Sequence, residues 1–253
     1  MTHGRLVCVV GAGISGLAAA QELLDRGENV IVLESSNHVG GAIKTTRVDD
    51  LIFENGPNSF PSSATEIMEL AKKAGVADRI ISADPCSENR LIYHEQRLKR
   101  VPTGPKDLLK SDLFTFWQKL RILWEPFVAQ RTKTDPESVA EFFFRRFGAA
   151  PTQTLVDAFV SGIYAGDARQ VGIQATFPKL VEMEKEYGSI FKAMKAKSKN
   201  RSGAKMTIQS FRSGLDELPL GIAKNLGDRL RLGVKVKKLK QNPKGGFILN
   251  VEG

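Results

Sequence analysis

Leu6-Val7-Cys8-Val9-Val10 runs straight into Gly11-Ala12-Gly13-Ile14-Ser15-Gly16, and the rest of the chain is placed outward from this junction. The continuous apolar run is expected as a strand buried on both faces of a parallel sheet. After the glycines, Leu17, Ala20, Leu23 and Leu24 recur at helical spacing, and Gly27 marks the helix end. Val30-Ile31-Val32-Leu33 follows as a second strand. The unit is therefore βαβ, with a right-handed crossover expected. Its loop matches G-x-G-x-x-G. Gly11 permits the tight turn, Gly13 lets a pyrophosphate approach the backbone, and Gly16 lets helix and strand pack closely. The helix start offers N–H groups and partial positive charge to phosphates. Glu34, 18 residues past Gly16 and at the end of the second strand, is placed to bond ribose hydroxyls. Together these features point to a dinucleotide.

Composition sets limits around that unit. The chain has 253 residues, 42% hydrophobic and 26% charged, which suits one or two ordinary globular domains. The two cysteines, Cys8 and Cys86, make no C-x-x-C pair or zinc pattern; Cys8 is expected as a buried thiol, and a reducing compartment fits. Lys and Arg total 37 against 28 acids. The excess is local: Lys192, Lys195, Lys197, Lys199, Arg201 and Lys205 form one cluster, and Lys235, Lys237, Lys238, Lys240 and Lys244 another. Such clusters are either solvated faces or sites for anionic partners. No aromatics are interleaved as a stacking platform needs, so no nucleic-acid partner is expected. No run of 18 apolar residues occurs. The five residues before Leu6 leave no room for a signal peptide, so the cytoplasm is the expected location, with contact at a membrane surface left open.

Beyond residue 60 the pattern turns helical. Thr65–Ala74 is expected as a helix ending near Gly75, and Leu91–Tyr93 with Leu98–Val101 as a hairpin around Glu95-Gln96. Lys106–Ala129 is long and aromatic. Asp135 is expected as an N-cap with Pro136 at the first helical position, the helix stopping at Gly148. Pro151–Val160 and Pro178–Lys197 continue the helical section, and Lys197–Lys205 is a polar linker. Strand character returns at Met206–Phe211, then a helix over Leu215–Asn225. Leu230–Leu239 and Phe247–Val251 are expected as hairpin strands around Asn242–Gly246, the last running into the C-terminus. No internal repeat is present.

The residues after Glu34 choose the cofactor. Ser35-Ser36-Asn37-His38-Val39-Gly40-Gly41 carries a second glycine pair, which resembles the extended fingerprint of the large flavoprotein group of amine oxidases and phytoene desaturases. In that group the pair lets the backbone pass close to the FAD pyrophosphate. An Arg is frequent two residues before it, and His38 stands there instead. Further segments resemble oxygen-dependent protoporphyrinogen oxidases over essentially the whole chain. They are Phe53–Phe60, Val160–Asp167, Ala175–Pro178, Glu184–Ser189 and Ser210–Leu215.

That resemblance implies an α/β fold. A glutathione-reductase-like, Rossmann-type FAD domain would cover residues 1–85 and 206–253, and a mainly helical substrate-binding and membrane-facing insertion residues 86–205. It implies FAD contacts from Gly11, Ala12, Gly13, Ile14, Ser15, Gly16, Glu34, Ser35, Gly41, Ala42, Gly56, Pro57, Asn58 and Ser59, and from the Val236 backbone. Arg90 would clamp a substrate propionate, bidentate chemistry that guanidinium suits, although a plain surface arginine also fits there. The Gly162 carbonyl would face pyrrole N–H groups; a glycine closing a helix is compatible with the same position. Phe114, Phe116, Trp117, Leu120, Leu123, Trp124 and Phe127 would be a membrane or tunnel surface, or else plain core.

The implied activity is FAD-dependent oxidation of a porphyrinogen, with molecular oxygen as acceptor, in heme biosynthesis. Protoporphyrinogen IX and coproporphyrinogen III both remain open as substrate. The cofactor carries the chemistry, so no catalytic side chain and no metal is assigned, and His3, His38 and His94 are scattered. Members of that family are about twice as long, and a homodimer is compatible with the longer form. The polypeptide alone is therefore expected to bind FAD weakly and to turn over poorly. A non-catalytic FAD- or porphyrin-binding module, and a flavin amine oxidase or desaturase, are the alternatives.

Overall fold

A computed structural model describes residues 5–132, 135–199 and 206–253. His3, Arg201, Lys205 and the end of the Lys197–Lys205 linker lie outside these residues. The chain divides into two compact units, Met1–Asp84 with Lys205–Gly253, and Pro85–Ala204.

The first unit opens with strand β1 (Leu6–Val10), helix α1 (Ile14–Asp25) and strand β2 (Asn29–Leu33), β1 and β2 pairing in parallel from Leu6↔Asn29 to Val10↔Leu33. Leu17 and Ala20 of α1 are fully buried, and Gly27 at φ +75° closes the helix. β1 is not buried on both faces as expected. It is the edge of a three-stranded sheet, and Leu6 and Val10 are 57% and 58% exposed. Cys8 is accordingly half-buried, and that burial raises its thiol pKa.

A hairpin of β3 (Thr45–Val48) and β4 (Leu51–Glu54), which the sequence did not announce, turns at Asp49, whose φ is +52°. Next come β5 (Phe60–Pro61), α2 (Thr65–Lys73, followed by Gly75 at φ +71°) and β6 (Ile80–Ser82).

The second unit starts with the expected hairpin, β7 (Leu91–His94) and β8 (Arg97–Arg100), with Glu95 and Gln96 both at positive φ as a two-residue turn requires. The aromatic stretch is broken into α3 (Pro105–Lys110), α4 (Phe116–Leu123) and a 3₁₀ turn at Glu125–Phe127. Thr115 and Gln118 form a capping box that starts α4 anew. Helix α5 (Val139–Phe147) begins later than expected. Its N-cap is Ser138, in a capping box with Glu141, rather than Asp135. The reciprocal Ser138–Glu141 bonds, which satisfy orphan amides of the first turn, favour this start over the isolated Asp-Pro signal.

The helical run continues through α6 (Ala149–Pro151), a π-helical turn at Thr152–Val156 and α7 (Asp157–Tyr164). After α8 (Ile173–Thr176), the segment expected as one helix is two, α9 (Pro178–Tyr187) and α10 (Ile190–Lys199). Left-handed Gly188 separates them. Fully buried Glu125 and Arg146 pair beside this break. Ser189 donates its hydroxyl to Glu125 (2.5 Å), Ile190 its amide (2.9 Å), and Arg146 also reaches the Gly188 carbonyl (3.0 Å). Arg145 binds Glu137 and Glu184 alongside.

The chain then re-enters the first unit. Strand β9 (Ile208–Phe211) lies between β5 and β6 in an antiparallel sheet, and α11 (Glu217–Leu226) packs Leu218, Ile222 and Leu226 into the core with α1. The expected strand Leu230–Leu239 is two strands. β10 (Leu230–Arg231) joins β2 in parallel, whereas β11 (Lys235–Gln241) pairs with β12 (Phe247–Glu252). Gly233 at φ +72° lies between them. Among the described residues no helix is long and apolar enough to cross a membrane.

Candidate functional site

Two glycine turns meet at the end of β1. Gly11 (φ +96°) donates its amide to the Leu33 carbonyl (2.7 Å), drawing the turn onto the end of β2. No atom lies within 4 Å of where a Cβ on Gly11 or Gly13 would stand, so the loop presents open backbone. Gly16 shows the opposite constraint, since a Cβ there would strike the Gly11 carbonyl oxygen. No side chain caps α1, whose start at Gly13–Ile14 is left for a ligand.

The second turn lies directly on the first. Gly40 donates its amide to the Ala12 carbonyl (2.8 Å) and bridges Gly13, while a Cβ on Gly41 would come within 3.2 Å of the Gly13 Cα. Gly40 itself was absent from the expected contacts. Its φ of +98° and its contact with the Ile43 carbonyl make it as constrained as Gly41.

Glu34 closes the cradle. Its carboxylate accepts from the Ala12 amide (2.6 Å), the Ser36 amide (2.8 Å), the Ser36 hydroxyl (2.9 Å) and the Ser35 hydroxyl (3.2 Å). Burial pushes its pKa up, but the Ser36 and Ala12 amides and the two hydroxyls outweigh this and hold it at about 2. A fixed anion therefore stands at the end of β2, where ribose hydroxyls can donate to its remaining lone pairs. Ser36 was not expected. A short hydroxyl residue two positions past the acid is its only signal. The returning chain supports the same spot, since Val234 donates its amide to the Glu34 carbonyl (2.8 Å). Val236 lies two residues further on, half-buried and paired with Val251 beside a β-bulge.

The loop Gly56–Ser59 is exposed and held from two sides. A Cβ on Gly56 would strike the Ala42 carbonyl, so this loop is pressed against the second glycine turn. Ser210 donates its hydroxyl to the Asn58 carbonyl (3.1 Å), joining two segments far apart in sequence. Glu54 fixes the junction below. Its carboxylate accepts from the Leu215 amide (2.7 Å) and the Thr45 hydroxyl (2.8 Å). Pro57, Ser59 and Ile14 also line a cleft of about 400 Å³ between α1 and α2. An extended phosphodiester ligand fits this set: open glycine backbone, a free helix start, and an acid beyond it.

In the second unit, Arg90 lies at the mouth of an apolar cleft of about 450 Å³ whose walls include Ile92, Phe143, Phe159 and Phe177. A guanidinium beside ring faces suits a flat apolar ligand carrying a carboxylate. Gly162 is not a helix-closing residue, because left-handed Ala165 closes α7. It lies in the last turn of that helix, exposed, where carbonyls lack partners within the helix. No atom comes within 4 Å of a Cβ built on it. Ala158 and Phe159 of the same helix line the Arg90 cleft; Gly162 does not. Phe114 and Leu123 pack inward, but Phe116, Trp117, Leu120, Trp124 and Phe127 are exposed, so plain core does not describe the stripe. Among the described residues no cluster of His, Cys, Asp and Glu could hold a metal.

Residues 14–253 match the family model described as flavin containing amine oxidoreductase. The chain is 35% identical to the chloroplastic protoporphyrinogen oxidase of Nicotiana tabacum, over 98% of this chain and 48% of that protein. It is 30% identical to the coproporphyrinogen III oxidase of Bacillus subtilis (strain 168), over 96% of this chain and 56% of that protein. An Exiguobacterium sp. 255-15 crystal structure assigned to the protoporphyrinogen oxidases superposes with a TM-score of 0.77 at 24% identity. The match covers all of this chain and 57% of that one. The chain thus spans about half the length of the curated relatives it matches.

Proposed function

The chain belongs to the flavin-containing amine oxidoreductases, and from that membership we propose that it supplies the FAD cradle and part of the substrate pocket of a porphyrinogen oxidase. The supporting observation is the contact of the Gly40-Gly41 turn on the Gly11–Gly16 turn, with Glu34 held as an anion beside them. FAD is the family's cofactor, and its dinucleotide half has the shape these turns accept. We assign its contacts to residues 11–16, Glu34, Ser35, Gly41, Ala42 and residues 56–59, with the backbone of Val236 toward the adenine. The fold would be of the glutathione-reductase-like Rossmann type, with residues 85–204 inserted as the substrate unit.

When bound, FAD would supply the two-electron oxidation of a porphyrinogen methylene carbon, with oxygen as the acceptor. The protein's part is to bind and orient. Arg90 would anchor a peripheral propionate beside the apolar cleft, and the Gly162 carbonyl, one turn along α7 from the Ala158 and Phe159 that line that cleft, would accept from pyrrole N–H groups. No side-chain nucleophile is required. Protoporphyrinogen IX is the preferred substrate in this reading, because a cleft with a single guanidinium among rings favours the less carboxylated macrocycle. Coproporphyrinogen III is the second reading, favoured by the Bacillus relative. The exposed Phe116, Trp117, Trp124 and Phe127 would rest on a membrane surface.

The test is anaerobic addition of protoporphyrinogen, coproporphyrinogen and a primary amine to FAD-loaded protein. With a porphyrinogen, and not with the amine, the visible flavin band should bleach; porphyrin formation needs six electrons and each flavin takes two, so porphyrin fluorescence should rise, and only slowly, once oxygen is admitted. Bleaching by the amine alone would overturn the assignment.

A further inference from the structure

A second cavity of the substrate unit is larger than the Arg90 cleft and, like it, mainly apolar. It measures about 790 Å³, and Phe114, Ile122, Phe143, Phe147, Leu155 and Phe191 are on its wall. Its rim is formed by Thr103, Gly104, Met194 and Lys195, and among the described residues Lys195 is the one charged group lining it. Helix α10, which carries Met194 and Lys195, also carries Lys192 and Lys197 and no acid. Helix α4 connects this cavity to the exposed aromatic face. Ile122 and Leu123 line the interior, while Trp117 of the same helix and Trp124 just past it are 75% and 57% exposed. These are the two tryptophans of the chain.

We propose that this cavity holds one acyl chain of an anionic membrane phospholipid, the headgroup staying at the rim beside Lys195; the proposal rests on the membrane-surface reading above. An empty space of this size with an apolar lining is no ordinary packing defect, and it lies in the range of small-molecule sites. Its chemistry selects the occupant. An alkyl chain asks nothing polar of the wall, and none is offered below the rim. The aromatic face beside the opening, with tryptophans of the kind that settle at the water–lipid boundary, and the acid-free basic helix point to a bilayer as the source.

The experiment has two readouts. Vesicles of phosphatidylcholine and phosphatidylglycerol with brominated acyl chains should quench Trp117 and Trp124, which tests the membrane-surface reading alone. Native mass spectrometry of the same protein, re-isolated from the vesicles, should show one phospholipid per chain. The double variant Leu123→Phe with Met194→Phe narrows the cavity without adding charge. It should abolish the retained lipid and leave vesicle quenching within about twofold, since the exposed aromatics are untouched. Lys195→Glu should weaken retention of phosphatidylglycerol roughly fivefold or more relative to phosphatidylcholine. Quenching with no retained lipid, or retained lipid indifferent to the filled cavity, would overturn the acyl site while leaving surface contact standing. Absence of quenching would overturn the membrane reading and the acyl site with it. Retention of free oleate in place of phospholipid would overturn the bilayer source.

Discussion

Replacing Glu34 with Gln tests how the cradle is held. The carboxylate accepts from two amides and two hydroxyls, and a carboxamide can accept at one atom only. Its NH₂ would face either the Ala12 or the Ser36 amide, donor against donor. The carboxyl pKa falls from the ordinary 4.5 to about 2. A shift of that size corresponds to at most ~3.5 kcal/mol at ~1.4 kcal/mol per pH unit. Solvent reaches this half-buried group, so about 1–2 kcal/mol is the expected loss at neutral pH. The sign follows from the depressed folded value. The contribution is fully present above pH 4.5 and is lost as pH falls toward 2, where Glu34 takes up its proton in folded and unfolded chains alike. Wild type and Glu34→Gln should therefore differ in stability at pH 7 and converge on acidification. The assay is urea unfolding at fixed pH, read by hydrogen exchange of the Leu6–Leu33 segment, because both tryptophans lie outside the first unit. A gap that stays constant from pH 7 to pH 3, or no gap at pH 7, would refute the reasoning.

Other perturbations probe separate parts. Gly16→Ala puts a Cβ against the Gly11 carbonyl oxygen, so the turn must open; FAD binding should drop by more than tenfold, measured by flavin fluorescence, with the second unit unaffected. Glu125→Leu strips buried Arg146 of its nearer carboxylate, leaving Glu184 at 3.3 Å, and strands the Ser189 hydroxyl and Ile190 amide, so the second unit should lose about 3–5 kcal/mol, measured by urea unfolding followed at Trp117 and Trp124. Glu125 and Glu184 both sit below the usual carboxylate range; burial raises them, but Ser189 and the Ile190 amide outweigh this at Glu125, and Arg145 does so at Glu184. Acid should therefore loosen this unit once the pH falls below the ordinary carboxylate range and they protonate. Arg90→Ala should raise the KM for porphyrinogen more than it lowers kcat, by roughly tenfold or more, and Arg90→Lys should recover part of it.

What could be read from the sequence was mostly local. Gly11–Gly16, the apolar strands and Glu34 each carry their own geometry, and β1, α1 and β2 formed where the residues put them. The hairpin turn at Glu95-Gln96 was equally visible. What failed depended on neighbours. β1 reads as a central strand, yet its burial depends on what lies along its outer edge, which its own residues cannot state. The break between α9 and α10 at Gly188-Ser189 is fixed by Glu125 and Arg146, some forty to sixty residues away, and no spacing within the segment announces it. Leu230–Leu239 looked continuous because alternation persists across Gly233, but parallel pairing with β2 draws its first two residues into another sheet. At the site, Ser36 escaped notice because its role is a contact with Glu34 rather than a feature of a motif, and Gly40, read only as half of the glycine pair, takes its own role from its bond to Ala12 on the first turn.

The account stands on an adenine dinucleotide lying across the two stacked glycine turns. Equilibrium titration of the purified protein with FAD, FMN and ADP, followed by flavin fluorescence and by competition, tests this most directly. FAD should bind, ADP should displace it, and FMN, which lacks the adenylate half, should bind far more weakly. FMN binding as tightly as FAD, or FAD binding that ADP leaves untouched, would contradict it.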